Sequence, residues 1–239
     1  MKLIKRAALA ALAACGLLAA TAQADDAAIR KNLAERIPQL KQIDEISKTP
    51  MPGLFELRVG HDLFYTDAQG NFLIQGNLID TKAQRNLTEE RLEKINAIDF
   101  AALPVKDAFT IVRGNGKRKI AVFEDPNCGY CKRFERDLQR VDNVTIYMFL
   151  YPILGPDSTD KSRNIWCAKD KGKAWLDFMV RDQVAPAASC DSTALARNLE
   201  FGKKHKITGT PTLVFTDGTR VPGAIGAQQV EKLLADAKQ

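Results

Sequence analysis

The spacing of apolar positions changes several times along the chain, and each change marks an element. Residues 25–48 open with Ile29, Leu33, Ile37 and Leu40 at helical spacing, with charged residues between them. Thr49-Pro50-Met51-Pro52-Gly53 breaks that pattern. The period then falls to two. Leu54 to Val59 and Leu63 to Thr66 read as short strands around Gly60-His61-Asp62. After an Asp67-Ala68-Gln69-Gly70 turn, Phe72-Leu73-Ile74 and Leu78-Ile79 read as further strands around Gly76. The pattern predicts a small α+β unit over residues 25–85, one helix with an antiparallel sheet. At about 60 residues it is near the lower limit for independent stability. A partner chain on an open sheet edge would help it, and an uncovered edge is a hazard.

Asn86 to Ile98 is a second helical pattern. Asn86 is placed to cap it, with Glu89 closing a capping box. Leu92, Ile95 and Ile98 form a narrow apolar stripe, while Thr88, Glu89, Glu90, Glu93 and Lys94 give a broad polar surface. A helix this polar suits a connection between two bodies. Residues 86–104 are therefore assigned as a linker ending at Leu103-Pro104, and residues 105–239 as a second domain. In that domain Phe109 to Val112 and Lys119 to Glu124 predict a strand pair joined through Gly114-Asn115-Gly116. The Lys117-Arg118-Lys119 run is a solvated turn in this reading. A helix from Cys131 to Val141 and a strand from Val144 to Leu150 follow, which implies a parallel crossover. Helical patterns fill about 159–182 and 192–204. The strand Thr212-Leu213-Val214-Phe215, an Asp217-Gly218 turn, Arg220-Val221 and a helix from Ala227 to Ala237 complete it. A central sheet with helices on both faces is the expected α/β class.

The first 24 residues change the count. Lys2, Lys5 and Arg6 precede an apolar run from Ala7 to Ala20, and Ala22-Gln23-Ala24 is a cleavage signal, so residues 1–24 read as a secretory signal peptide. Leu12-Ala13-Ala14-Cys15 also resembles a lipobox, the alternative being a lipoprotein anchored at Cys15; the apolar run continuing past it favours cleavage at Ala24. Removal leaves 215 residues and lowers the formal charge from +6 to +3, because the three basic residues go and no acidic ones do. No basic patch with interleaved aromatics is present, which argues against nucleic acid. No later apolar run is long enough to span a bilayer.

The chemistry concentrates in Asp125-Pro126-Asn127-Cys128-Gly129-Tyr130-Cys131. The motif stands between the apolar run Ile120-Ala121-Val122-Phe123 and a helical face of Cys131, Phe134, Leu138 and Val141. A strand thus delivers Cys128 to the first turn of a helix, where free N–H groups and the macrodipole favour a thiolate. Lys132 and Arg133 add positive charge nearby in this reading. Cys131 lies three residues on, placed to attack a mixed disulfide formed at Cys128. C-x-x-C in this setting is a redox signature. The competing readings are half of a zinc site or a static disulfide. Zinc wants a second close pair or a His cluster, and His61 and His205 sit in no ligand pattern. The expected cofactor is none beyond the cysteine pair. Cys167 and Cys190 are the other mature cysteines. In an oxidising compartment a bridge between them would close about two dozen residues, stabilising by about 3–4 kcal/mol; the alternative is two buried free thiols. In Thr208-Gly209-Thr210-Pro211-Thr212 the proline opens a strand, either trans or, in a cis turn, brought against Cys128.

With these motifs in view, the chain resembles the DsbC/DsbG family of periplasmic disulfide isomerases in the thioredoxin superfamily. The matching stretches are Cys128-Gly129-Tyr130-Cys131, Thr210-Pro211, Ile165-Trp166-Cys167-Ala168-Lys169-Asp170-Lys171, Val184-Ala185-Pro186-Ala187-Ala188-Ser189-Cys190-Asp191 and Gly218-Thr219-Arg220-Val221-Pro222-Gly223. The resemblance implies a cystatin-like N-terminal dimerisation domain, a linker helix and a thioredoxin-like domain with a helical insertion. It implies a V-shaped homodimer paired through the strand at Ile74-Gln75-Gly76. It further implies that Cys128 attacks substrate disulfides, supported by Gly129, Tyr130, Thr210 and a cis Pro211, and that Cys167 and Cys190 form a structural bridge. The implied partners are misfolded exported proteins and a DsbD-like membrane thiol reductase. One departure from the wider thioredoxin pattern stands out. The buried acid expected six residues before the first cysteine is Val122 here, and whether Glu124 or Asp125 assists proton transfer to Cys131 is open. The function expected is disulfide isomerisation with chaperone-like holding; the alternatives are a dithiol oxidase and a non-catalytic holding chaperone.

Overall fold

The computed structural model describes residues 25–237. The expected signal peptide, and Cys15 with it, lies outside the described residues. The chain divides into two compact units that meet between Ile95 and Asn96.

In the first unit residues 25–36 are helical (α1) and bury Ile29 and Leu33 against Leu40, Ile43, Phe55 and Leu57. The helix stops short of Pro38, which lacks the N–H a continuing helix needs and instead opens a 3-10 turn, Pro38–Leu40. Residues 45–48 are then not part of a helical segment. They form β1 (Glu45–Lys48), followed by β2 (Leu54–Val59), β3 (Asp62–Asp67) and β4 (Leu73–Ile74), in the antiparallel order β1-β2-β3-β4. β1 has one large apolar residue, Ile46, so its sequence carries little alternation; its register comes from pairing Glu45 with Arg58 and Lys48 with Phe55. Gly70 turns the chain after β3 with φ +66°, and a Cβ there would stand 3.2 Å from Leu33 Cγ. β4 is an outer strand, and Phe72 and Ile74 are exposed.

β5 (Ile79–Asp80) and β6 (Arg85–Asn86) make a separate two-stranded ribbon that leads into α2 (Leu87–Asn96). Asn86 Oδ1 accepts from Glu89 N at 3.2 Å, as a capping residue should. The helix differs from expectation in three ways. Thr88, assigned to its polar surface, is buried; its hydroxyl bonds Tyr65 and accepts from Leu78 N at 2.8 Å. Arg91 reaches Glu45 at 2.7 Å and Glu56 at 3.0 Å, so α2 is fastened to the first sheet. Ile98, read as the end of its stripe, lies beyond the helix in the core of the second unit with Leu103, Phe123 and Phe149, and its N–H bonds Gly218 O at 3.1 Å.

The second unit is built on a mixed sheet of β7 (Phe109–Arg113), β8 (Arg118–Glu124), β9 (Val144–Leu150), β10 (Thr212–Phe215) and β11 (Arg220–Pro222), in the order β11-β10-β8-β9-β7. The pairing of β7 with β8 expected from the sequence does not occur. β9 lies between them, parallel to β8 and antiparallel to β7, so that Val144 faces both Arg118 and Arg113. The connecting loop wraps the start of β9. Asn115 N donates to Asn143 Oδ1 and Arg118 N to Asn143 O, both at 3.1 Å. Gly114 permits this wrap; its φ is +54°, and a Cβ would meet Asp142 and Asn143 at 2.5 Å. Arg118 is also more than a solvated turn residue, since its guanidinium pairs with Glu231.

Five helices follow: α3 (Gly129–Leu138), α4 (Pro156–Trp166), α5 (Lys171–Arg181), α6 (Thr193–Lys204) and α7 (Ala227–Asp236). The single helical stretch expected at 159–182 is two helices, because Asp170 caps α5 by accepting from Lys173 N at 2.9 Å. One face of β8 packs Ile120 and Val122 with Cys131, Phe134, Leu138, Trp175 and Val230. The other packs Ala121 and Phe123 with Tyr151 and Ile207, and Phe123 stacks on Phe149 with ring centroids 4.5 Å apart. Buried on both faces, β8 is the rigid rod that positions the turn and helix after it.

Candidate active site

β8 ends at Glu124, and Asp125-Pro126-Asn127 turns the chain into α3 with Cys128 as its N-cap. Cys128 Sγ accepts from Cys131 N at 3.3 Å and lies 3.2 Å from Thr210 O, to which the thiol donates. The Thr210–Pro211 peptide is cis, and Pro211 O accepts from Gly223 N at 2.8 Å. The fold thus brings Cys128, Cys131 and Thr210-Pro211 together across 82 residues of sequence. Gly129, where a Cβ would meet nothing within 4 Å, and Tyr130, 70% exposed, form the outer surface of the motif.

The two sulfurs differ sharply. Cys128 keeps 6% of its surface and Cys131 keeps none, so a foreign disulfide meets Cys128. The Cys128 pKa is lowered to about 6. The Cys131 thiol is the largest cause; burial opposes it, and the Thr210 side chain and the N–H groups of Cys131 and Tyr130 add to the lowering. The charge expected of Lys132 is directed elsewhere: its Nζ bonds Asp182 at 2.5 Å and sits over the Phe178 ring. Burial pushes the Cys131 thiol far up, and the Cys128 sulfur and Glu124 push the same way. Near neutral pH the pair is one thiolate and one thiol.

The two carboxylates left open by the sequence are in different situations. Asp125 is fully buried and saturated. Its Oδ1 accepts from Asn127 N and Ser158 Oγ, each at 2.7 Å; its Oδ2 accepts from Ile153 N at 2.8 Å and Leu154 N at 2.9 Å. It ties the turn before Cys128 to the loop after β9. Glu124 is equally buried, yet neither of its oxygens meets an N–H or O–H donor among the described residues. Burial raises its pKa well above the usual carboxyl range, and Glu135 and Cys128 add to the rise. Glu135, on α3 and also fully buried, is a residue that sequence reasoning misses; its Oε1 accepts from Trp175 Nε1 at 2.7 Å. The signal is present in its spacing, four residues after Cys131 on the same helical face.

Cys167 and Cys190 are bridged, with Cα atoms 5.5 Å apart, joining the end of α4 to the segment before α6. Ile74 ends β4, and Gln75 and Gly76 follow it; all three belong to the first unit and not to the dithiol site. No group of three His, Cys, Asp or Glu side chains among the described residues is placed to hold a metal ion. No helix among them is long and apolar enough to cross a membrane.

An ionised, reachable sulfur with a buried thiol three residues on is the equipment for thiol–disulfide exchange. Comparison with known proteins agrees with that chemistry. Residues 105–238 match the family described as a thioredoxin-like domain, and residues 20–89 match the disulfide bond isomerase protein N-terminal domain. The chain is 45% identical over 212 residues to a probable thiol:disulfide interchange protein DsbC of Bordetella pertussis, covering 89% of this chain and 74% of that protein. It is 33% identical to the thiol:disulfide interchange protein DsbC of Escherichia coli, covering 89% of each. The crystal structure of a disulfide interchange protein from Neisseria gonorrhoeae aligns over 57% of this chain and 99% of that one, with 37% identity and a TM-score of 0.55. The chain belongs to the DsbC family of thiol:disulfide interchange proteins.

Proposed function

We propose that this interchange protein rearranges wrong disulfides in exported proteins, with Cys128 as nucleophile and Cys131 as the group that releases a trapped substrate. The observation that carries this reading is the asymmetry of the pair: Cys128 keeps a small opening of 6% of its surface with its pKa lowered to about 6, and Cys131 beside it is closed off entirely, with burial raising its pKa. The Cys128 thiolate attacks one sulfur of a substrate disulfide. A Cys128–substrate bond forms, and the other substrate sulfur leaves as a thiolate. That thiolate, or another in the substrate, then attacks the mixed disulfide and expels Cys128, which leaves readily because its pKa is low. When no substrate thiol is placed to do so, Cys131 attacks Cys128 and the substrate departs reduced, leaving a Cys128–Cys131 disulfide. A DsbD-like membrane thiol reductase would return that disulfide to the dithiol. Gly129 and Tyr130 present the sulfur, Thr210 and Pro211 flank it, and Cys167–Cys190 holds the helical insertion.

Residues 25–85 serve as the dimerisation domain in this reading. β4 is an outer strand of its sheet, and Phe72 just before it and Ile74 on it are exposed at 72% and 50%. A second copy pairing along Ile74-Gln75-Gly76 would cover that edge. Residues 1–24 direct export to the periplasm. The test is reactivation of a protein with scrambled disulfides, run beside native mass measurement. The wild-type chain rescues as a dimer; Cys128→Ala loses rescue; Ile74→Lys, placing a charge on the paired edge, becomes monomeric and rescues poorly. Rescue persisting in Cys128→Ala would remove the nucleophile assignment. A monomer that oxidises dithiols and rescues nothing would favour the oxidase.

A further inference from the structure

The segment that carries Thr210 and Pro211 to the dithiol is held by its main-chain carbonyls. Arg220, from β11, donates Nη1 to His205 O and Nη2 to Lys206 O, each at 2.7 Å. The Tyr151 hydroxyl donates to Ile207 O at 2.9 Å. Thr212 Oγ1 donates to Gly209 O and Gly223 N to Pro211 O, both at 2.8 Å. The Thr210 carbonyl lies between these last two and is the one turned to Cys128.

Tyr151 differs from the other donors in holding both sides of the site. Its own N–H donates to Glu124 O at 2.7 Å, at the end of β8 and four residues before Cys128. Its hydroxyl grips Ile207, three residues before Thr210. One residue thus spans from the strand that delivers the sulfur to the segment that faces it. The ring has no room to pivot. It is 3% exposed and meets Phe123 edge-on, with centroids 6.0 Å apart. Gly202 of α6 lies against it so closely that a Cβ there would collide with the ring and the hydroxyl. Glycine inside a helix is unfavourable; here it leaves the space through which the hydroxyl reaches Ile207 O. Ile207 N returns a bond to Gly202 O at 2.7 Å. The bond from Tyr151 to Ile207 is itself buried, so removing the hydroxyl strands a carbonyl away from water.

We propose that the Tyr151 hydroxyl is a positioning group for disulfide exchange: by bracing Ile207 against the end of β8 it fixes the distance between the Thr210 segment and the Cys128 sulfur. The proposal rests on the reading that Cys128 is the nucleophile. The protonated Cys128 donates to Thr210 O at 3.2 Å. Once it is ionised, the Thr210 side chain joins the N–H groups of Cys131 and Tyr130 in stabilising the charge. Both arrangements require Thr210 to stay within hydrogen-bonding distance, and both weaken steeply if the segment drifts. Burial raises the Tyr151 pKa, so its phenol is neutral at working pH and Tyr151→Phe removes a hydrogen bond without removing a charge. Arg220 is the charged group facing Tyr151, and Cys131 and Glu124 are the titratable groups facing Cys128. The substitution alters none of them.

Two measurements on the reduced full chain test the brace. The first is the pH midpoint of Cys128 alkylation by iodoacetamide. Tyr151→Phe keeps the ring packing and should move that midpoint from about 6 to about 7. Arg220→Lys keeps the charge and slackens the same segment farther from Thr210, so it should move the midpoint less. The second is hydrogen exchange at the Gly223 amide, which reports the bond to Pro211 O. Tyr151→Phe should quicken it about tenfold, the order expected for one lost hydrogen bond, while the amides of β8 stay protected. A Tyr151→Phe midpoint equal to a wild-type value near 6, or unchanged exchange at Gly223, overturns the proposal and leaves the nucleophile assignment standing. An Arg220→Lys midpoint displaced as far as that of Tyr151→Phe overturns it too, since general slackness of the segment would then explain the shift. A wild-type midpoint at or above about 8.5 removes Cys128 as the activated nucleophile and the proposal with it.

Discussion

Asp125→Asn is the most informative single change outside the cysteines, because one atom pair is altered and the consequences are asymmetric. The carboxylate accepts four hydrogen bonds, two at each oxygen. An amide has one oxygen. Placed at the Oδ2 position, that oxygen keeps the bonds from Ile153 N and Leu154 N. The amide nitrogen then takes the Oδ1 position, where Ser158 Oγ can rotate and accept from it. Asn127 N–H, however, is left pointing at another N–H. The change thus removes one charge-assisted bond, worth about 1.5–3 kcal/mol, and weakens three others, while relieving the burial of a charge. The net expectation is a loss of about 2–4 kcal/mol from the second unit. Both tryptophans, Trp166 and Trp175, lie in that unit, so their fluorescence in urea follows its unfolding without interference from the first. The urea midpoint should fall, and hydrogen exchange should quicken at Asn127 while Ile153 and Leu154 stay protected. A midpoint within error of wild type with Asn127 still protected would refute the picture of Asp125 as the tie between the two loops.

Three further outcomes follow from the same structure. The sign of the pH effect on the reduced protein is fixed by its two thiols. Cys128 has a folded pKa of about 6, below the roughly 8.5 of an unfolded chain. Its contribution is present above about 8.5 and is lost as pH falls through about 6. Cys131, raised on folding, reverses the trend above about 8.5. The reduced-minus-oxidised stability, read from urea midpoints, should rise from pH 6 to 8.5 and then decline; a flat difference would contradict both shifts. Thr88→Val removes the hydroxyl shared by Tyr65 and Leu78 N and should cost the first unit about 1–3 kcal/mol, with exchange at the Leu78 amide quickened; unchanged exchange there would be the contrary result. Replacing Cys167 and Cys190 together by Ser opens a loop closed over a separation of 23 residues. It should cost about 3 kcal/mol, seen as a lower urea midpoint, and a midpoint unmoved would show the bridge to be incidental.

How much of the molecule is legible in its sequence depends on how local each feature is. The dithiol and its helix are readable because Cys128 and Cys131 are neighbours on one turn and the strand before them carries the unbroken apolar run Ile120-Ala121-Val122-Phe123. The 23-residue bridge is readable from compartment and parity. The arrangement of β7 and β8 is not, because two strands joined by a short glycine loop look like a hairpin, and only the placement of β9 decides otherwise. The sequence makes α1 too long because Ile37 and Leu40 keep the helical period across Pro38, whose ring ends the helix regardless. It reads α2 as a connector because Thr88, Glu89, Glu90, Glu93 and Lys94 look like a solvated surface; the partners of Arg91 on the same helix, Glu45 and Glu56, are on strands far back in the chain. Glu135 is hidden for the same reason. In the run Lys132-Arg133-Phe134-Glu135-Arg136-Asp137 a glutamate reads as one more surface charge, and Trp175, which shows otherwise, is 40 residues away. Asp125 is visible as a carboxylate near the cysteines, but its role rests on a loop that begins 28 residues later.

The central claim is that the Cys128 sulfur is ionised and reachable at working pH. At a pKa of about 6 it is about nine-tenths thiolate at pH 7, against about 3% for an ordinary cysteine. The lower basicity takes back about tenfold of that roughly thirtyfold gain in attack, so the larger benefit is that Cys128 leaves easily. The direct measurement is the rate of iodoacetamide modification of the reduced chain from pH 4 to 10, with the modified residue identified by peptide mass. The account predicts a single midpoint near 6, with Cys128 modified and Cys131 spared. A midpoint at or above about 8.5, or label appearing first on Cys131, would contradict it.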